Sequence, residues 1–491
     1  MKKAIIIGSG IGGIALSIRL SRMGFSVKVF ESNSYAGGKL HEIKKQGFRF
    51  DAGPSLFTMP HFVDELYQIC NENADDHFNY FKKEIACKYF WEDGTKLTAY
   101  GEKEKLLDEI EKKLNVSKST LMNYFDRSRN KYDLTAPIFL NKSLNKLDTY
   151  LTKETVKAIS SIFKFDIYKT LHEVNKEQLK EPHLVQLFDR FATYVGSNPF
   201  QTSGIMTLIQ HLEFHMGTFL PSKGMFSISK SLLDLSKRQG VEFIFNSYVD
   251  KIILKNNKAI GVNSLGKFYK SDIVISNMDI NPTYKYLMKN QLRPKKILES
   301  EPSSSGVIFY WGISKKFHEL DLHNVFFSNN YQQEFEEIFL NHNVSKDPSI
   351  YINITSKDIE GDAPENSENW FVMVNTPYDI GQNWKSMVNK IRINVQKKIS
   401  RILNIDISEY IVFEDILTPK TIQFKTKSHL GSLYGPSSNS RISAFFRHPN
   451  FSKKTKNLFF CGGSVHPGGG IPLCLLSAKI TADLVKNYCN D

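Results

Sequence analysis

The sequence predicts an α/β protein: a Rossmann-type domain built on a parallel sheet, with a second, α+β domain inserted into it. Three stretches carry that expectation. Residues 4–7 (AIII) form a short β-branched run, followed at once by a glycine-rich turn and by IALSIRLSRMG, whose apolar residues recur at helical spacing. Near the other end, FFCGGSVHPGGGIP (459–472) repeats the order of apolar run, glycine turn and helical segment. Between them, GVIFYWGI, SIYINIT and NWFVMVNTP read as strands of an antiparallel sheet with one face covered.

A chain of 491 residues is too long for one simple core. The expected division is 1–70, 225–300 and 415–491 for the nucleotide-binding domain, with 71–224 and 301–414 as the inserted domain. A hydrophobic fraction of 41% and a charged fraction of 23% describe an ordinary folded protein. No apolar run reaches the ~18 residues that a membrane-spanning helix needs. The basic start of MKKAIIIGSGIGG superficially suggests a signal peptide. Its glycines continue into a different pattern and no small-residue cleavage site follows, so none is expected. Five cysteines (Cys70, Cys87, Cys461, Cys474, Cys489) show neither paired nor metal-type spacing, as expected of reduced thiols in a cytosolic protein.

A net charge of +13 fits either attraction to polyanions or lysines spread over a solvated surface. Lysines thicken over 142–180 at roughly helical apolar spacing, a candidate membrane-surface segment together with the apolar stretch 199–220. No nucleic-acid motif accompanies the charge, so nucleic acid is not an expected partner.

Each part of the N-terminal motif has a physical task. In GSGIGG, Gly8 permits the tight turn, Gly10 lets backbone approach a pyrophosphate, and Gly13 lets helix and strand pack closely. Gly12 lies in the same turn. The helix start offers free N–H groups and its positive dipole end to phosphates. The second strand, FSVKVFE, closes with Glu31, placed to accept the hydroxyl hydrogens of an adenosine ribose.

Beyond this point the chain resembles the flavoprotein superfamily of amine oxidases and carotenoid desaturases. The resemblance rests on Ser34-Tyr35-Ala36-Gly37-Gly38-Lys39 and on Gly47-Phe48-Arg49-Phe50-Asp51-Ala52-Gly53-Pro54-Ser55. Relatives usually carry Arg where this chain has Lys39, which keeps the charge but loses the forked hydrogen bonding. The stretch DRFATYVGSNPFQTSGIMTLIQHLEFHMGTFLPSKGM is similar to the bacterial phytoene-desaturase group, with Lys223 replacing a usual glycine. The loop FDAGPSLFTMP (50–60) is more similar to hydroxycarotenoid 3,4-desaturases.

The resemblance implies FAD as cofactor and Gly38, Lys39, Ser55, Leu56, Val249 and Asn277 among its contacts. It also implies that Gly463 approaches the pyrophosphate and that Gly470 and Ile471 run along the flavin. The helix starting near Pro472 would point its N-terminus at the flavin, stabilising negative charge there by about 0.3–1 kcal/mol, and up to roughly 2 when partly buried.

The implied activity is desaturation of a carotenoid, with a 1-hydroxycarotenoid desaturated at its 3,4 bond as preferred substrate. Phytoene desaturation, carotenoid isomerisation and non-enzymatic lipid handling on the same scaffold are the alternatives. A quinone or oxygen would reoxidise the flavin, and the protein would work at the inner face of the cell membrane. No catalytic acid or base is readable, since the flavin carries the hard chemistry. His211 and His215 stand four apart with Glu213 between them, which is metal-ligand spacing without further ligands. A pocket-lining role for Glu213 or a histidine is the preferred reading, and no metal is expected.

Overall fold

The computed structural model describes residues 1–139, 165–289, 291, 294–440 and 447–490. Among these, five parallel strands form one sheet in the spatial order Leu458–Phe460, Ile273–Ser276, Lys3–Ile7, Ser26–Phe30, Glu242–Ile244. The run AIII lies at its centre with a partner on each side, which is why every residue of it is buried and apolar.

Alternation along that strand decides what covers each face. Ala4 and Ile6 pack against the helices Ile11–Arg22, Phe226–Arg238 and Ile471–Asn490. Ile5 and Ile7 pack on the other side with Val249, Ile252, Ala259 and Val262. Those residues come from a three-stranded antiparallel sheet, Val249–Lys255, Lys258–Ser264 and Lys267–Lys270. Its first hairpin turns on Asn256 and Asn257, both at positive φ (50° and 56°), the mirror-image turn that matches strand twist. The first helix ends at Gly24 and the helix Phe226–Arg238 is followed by Gly240; both glycines take left-handed φ, +84° and +80°.

A seven-stranded sheet forms the second body: Ile411–Leu417, Ser305–Ile313, Glu368–Thr376, Ile350–Ile354, His323–Phe326, Ile85–Phe90 and Lys96–Tyr100, in that order. All neighbours are antiparallel except His323–Phe326 against Ile85–Phe90. One face, with Phe309, Phe326, Ile352, Val372 and Val374, is sealed by the helix Trp384–Leu403 through Trp384, Val388, Ile391, Val395 and Ile399. The opposite face is turned to a cavity.

One surface expectation is overturned, and the other falls largely outside the described residues. The stretch 199–220 is not a membrane-facing surface: apart from Gln201 its residues are buried or half-buried, and Ile205, Leu208, Ile209 and Leu212 line the cavity. Of the basic stretch 142–180, residues 142–164 lie outside the described residues. Its described helix, Leu171–Leu179, turns Leu171, Val174 and Leu179 inward, so its apolar side is already covered. Among the described residues, no helix is long and apolar enough to cross a membrane.

Candidate active site

A cavity of about 1440 Å³ runs from the glycine turns of the parallel sheet to the open face of the seven-stranded sheet. It exceeds the usual range of small-ligand pockets, roughly 300–1,000 Å³. At the parallel-sheet end it is lined by Gly8, Gly10, Gly12, Glu31, Gly38, Lys39, Ser55, Leu56, Val249, Asn277, Gly463, Gly470 and Ile471. Chain segments more than 450 residues apart therefore meet around one space, because the first and last strands belong to the same sheet.

Gly13 is not among the lining residues. A Cβ there would lie 2.3 Å from the Gly8 carbonyl oxygen, so its absence lets the first helix close onto the strand, as the motif requires. Gly470 answers a different need. Its φ of +102° excludes other residues, yet a Cβ would meet nothing within 4 Å, so bare backbone passes along open cavity. Two helices begin at this cavity. Their first intrahelical bonds are Ile14 N–H to the Gly10 carbonyl (3.0 Å) and Cys474 N–H to the Gly470 carbonyl (2.9 Å). The amides before them have no partner within their helix, and both positive dipole ends face one space.

The side chains around the turns are held in place. Asn277, just beyond the strand Ile273–Ser276, donates its N–H to the Ile7 carbonyl (2.9 Å) and its Nδ2–H to the Gly8 carbonyl (3.4 Å). Glu31 Oε2 accepts from the Ser9 amide (2.9 Å) and hydroxyl (2.8 Å), and Oε1 from the Asn33 amide (2.8 Å), fixing the carboxylate at the cavity wall. Lys39 Nζ donates to the carbonyls of Leu433 (2.7 Å) and Ser432 (3.1 Å). Burial pushes its ammonium below the ordinary lysine range, against the opposing charge of Asp279.

Two residues missed in the sequence complete this end. Arg447 Nη1 donates to the carbonyls of Tyr434 (3.0 Å) and Gly463 (3.2 Å), and Nη2 to that of Pro436 (3.1 Å), clasping two loops together. Burial lowers its guanidinium to about 10. Cys474 lines the cavity, its thiol pushed up to about 11 by burial. Neither residue sits in a motif with a chemical spacing, so nothing in the sequence marked them.

At the other end the lining comes from alternate residues of the seven-stranded sheet. Register places Val325 opposite Tyr351 and Tyr351 opposite Met373, with His323, Cys87 and Phe371 on the same face. Helical segments supply Arg190, Tyr194, Ile209, Leu212 and Glu213. Glu213 lines the cavity, as preferred from the sequence. His211 and His215 lie with tilted rings, centroids 4.4 Å apart, and burial holds His211 near 4. Among the described residues, no three His, Cys, Asp or Glu side chains gather as a metal site would need.

The residues of the parallel-sheet end fit an FAD. Backbone free of side chains, two helix N-termini and an acid held at the end of the second strand are what a dinucleotide requires, and the clear space beside Gly470 leaves room for its ring. Comparisons with known proteins agree. Residues 11–486 match the family described as flavin containing amine oxidoreductase. The 1-hydroxycarotenoid 3,4-desaturase of Flavobacterium sp. (strain P99-3) is 52% identical over 99% of both chains. The 4,4'-diaponeurosporene oxygenase of Staphylococcus aureus (strain MSSA476) is 30% identical over 99% of this chain and 98% of its own. Among solved structures, cyclohexylamine oxidase from Brevibacterium oxydans IH-35A superposes with a TM-score of 0.63 over the full length of both chains, at 12% identity.

Proposed function

The chain belongs to the flavin-containing amine oxidoreductase family, and from that premise we propose that it is an FAD-dependent carotenoid desaturase acting on the 3,4 bond of a 1-hydroxycarotenoid. The observation that carries this reading is the continuity of the cavity. One end is a dinucleotide cradle and the other an apolar hall, in a chain 52% identical to a relative named for this reaction.

When bound, FAD would supply the two-electron acceptor that removal of two hydrogens from neighbouring carbons of the polyene requires. The protein's own part is placement. Val325, Phe371, Met373, Ile209 and Leu212 present apolar surface to a long hydrocarbon and exclude water from it. The helix beginning at Ile471 offers its amides to negative charge at its end of the cavity. Holding one C–C bond of many in reach of the acceptor is the main kinetic task of such a site.

The named relatives divide between a desaturase and an oxygenase, and the higher identity favours the desaturase. The test is product analysis by chromatography and mass spectrometry with phytoene and a 1-hydroxycarotenoid, in air and anaerobically with a quinone. The expected product from the hydroxylated substrate is lighter by two hydrogens in either condition. Conversion of phytoene alone, or gain of an oxygen atom, would sink the reading.

Membrane association belongs to the same proposal. The polyene partitions into bilayers, and the cavity rim carries exposed Phe424, Tyr286 and Tyr248 beside Lys285, Lys420, Lys425 and Lys427. Aromatic rings with neighbouring lysines suit the headgroup region of an anionic leaflet, here the inner face of the cell membrane. A quinone dissolved in that bilayer, or oxygen, is the acceptor we assign. We also propose that the substrate domain comprises 71–224 and 301–414, since the seven-stranded sheet draws nearly all its residues from these segments.

A further inference from the structure

The apolar part of the cavity meets two sets of polar side chains, of which only Ser55 is also expected at the flavin. In the first, Arg190 donates from Nη2 to the Tyr89 hydroxyl (2.8 Å) and from Nη1 to the Tyr194 hydroxyl (3.1 Å), with Glu213 Oε1 at 3.5 Å. The Tyr194 hydroxyl donates in turn to Glu213 Oε2. Three aromatic rings, Tyr89, Phe191 and Tyr194, enclose the guanidinium at 4.9–5.3 Å. In the second, His323 Nδ1 lies 2.7 Å from the Tyr351 hydroxyl, which is itself 2.8 Å from Ser55 Oγ.

The tautomer of His323 follows from its neighbours. Asn353 Nδ2, a donor that also serves the Leu322 carbonyl, lies 3.2 Å from Nδ1, so Nδ1 accepts. Burial holds the ring neutral, which leaves the proton on Nε2. That N–H is buried, lies in a residue lining the cavity, and has no partner; the same holds for Nε–H of Arg190. The two sets share one neighbourhood: Tyr89, which Arg190 contacts, pairs across the sheet with Val325, Val325 pairs with Tyr351, and His323 stands two residues along the same strand on the same face. A pure hydrocarbon would leave these buried donors unsatisfied.

We propose that this polar end recognises the hydroxyl group of the polyene. The His323 Nε2–H donates to the hydroxyl oxygen, and the Glu213 carboxylate, with lone pairs to spare beyond Tyr194 and Arg190, accepts the hydroxyl hydrogen. A hydroxyl needs one donor and one acceptor, and the site offers both. The assignment rests on the carotenoid reading above and names the part of the substrate that this end reads.

The experiment measures binding by quenching of protein fluorescence in anaerobic enzyme loaded with reduced flavin, which cannot accept a hydride. The ligands are a 1-hydroxylated carotenoid and the hydrocarbon of the same length. The wild type is expected to bind the hydroxylated polyene about tenfold to a hundredfold more tightly. His323→Phe and Glu213→Gln are each expected to erase most of that preference while retaining flavin absorbance. Equal affinities in the wild type, or a preference that survives both substitutions, overturns the assignment. His323→Phe also strips the Tyr351 hydroxyl of its acceptor; should that variant fail to fold, the near-isosteric Glu213→Gln decides. Because binding is read without turnover, a wild type that prefers the alcohol but converts neither ligand supports the hydroxyl site and defeats the desaturase reading alone.

Discussion

Single residues differ sharply in how far their roles could be read in advance. Gly13 is legible because its neighbour in space, Gly8, is also its neighbour in sequence, and the G-x-G-x-x-G spacing encodes the contact. The 2.3 Å approach to the Gly8 carbonyl makes Gly13→Ala an overpacking substitution. The expected outcome is loss of about 1–3 kcal/mol of stability and purification of a colourless protein, read from thermal melting and visible flavin absorbance. Retention of a full flavin complement would show that the helix can shift without cost. His323, Arg190 and Arg447 were not legible. None carries a chemical spacing of its own, and apart from Tyr194, four residues from Arg190, the partners that give each its meaning lie more than ten residues away. Glu213 stands out in the sequence beside His211 and His215, but its hydrogen-bond partners in the fold are Arg190 and Tyr194.

At the scale of elements, periodicity read well and capping did not. From its spacing, SISKSLLDLSKRQG reads as a helix ending at Gly240; the helix observed is Phe226–Arg238, with Gly240 just beyond it at left-handed φ. What starts that helix comes from a distant strand. Asp51, at the end of Phe48–Ala52, accepts the amides of Met225 and Phe226, each at 2.8 Å, and is held by Arg49 at 2.6 Å. Gly224 is kept bare beneath them, since a Cβ would lie 2.5 Å from the Arg49 guanidinium. The D-x-G-P loop and the turn before this helix are therefore one structural unit. Asp51→Ala is expected to cost about 2–4 kcal/mol, because it uncaps a helix and strips a buried guanidinium of one carboxylate. Urea denaturation measures it, and a change under about 0.5 kcal/mol would refute the capping role.

For the whole molecule, the two sheets divide the work. The parallel sheet gathers glycine turns at the carboxyl ends of its strands, and the antiparallel sheet spends one face on its own core and the other on the cavity. The cavity rim with Phe424, Tyr286 and four lysines gives a testable consequence. The protein is expected to co-sediment with vesicles containing anionic lipid at low salt, and Phe424→Ser with Tyr286→Ser to weaken that binding severalfold. Equal recovery with neutral and anionic vesicles, or no binding at low salt, would remove the membrane assignment.

The sequence by itself determined the class of fold, the glycine turns of the parallel sheet and the ends of several elements. These depend on contacts between residues close in the chain, where period, turn chemistry and helix polarity are written locally. Tertiary structure alone decided which faces are covered, that 199–220 is a cavity wall rather than a surface, and that Arg190, Glu213, His323 and Tyr351 share one neighbourhood. Those contacts join strands and helices whose order in space is set by sheet pairing, and a side chain's partner across a sheet leaves no mark at any fixed distance along the chain.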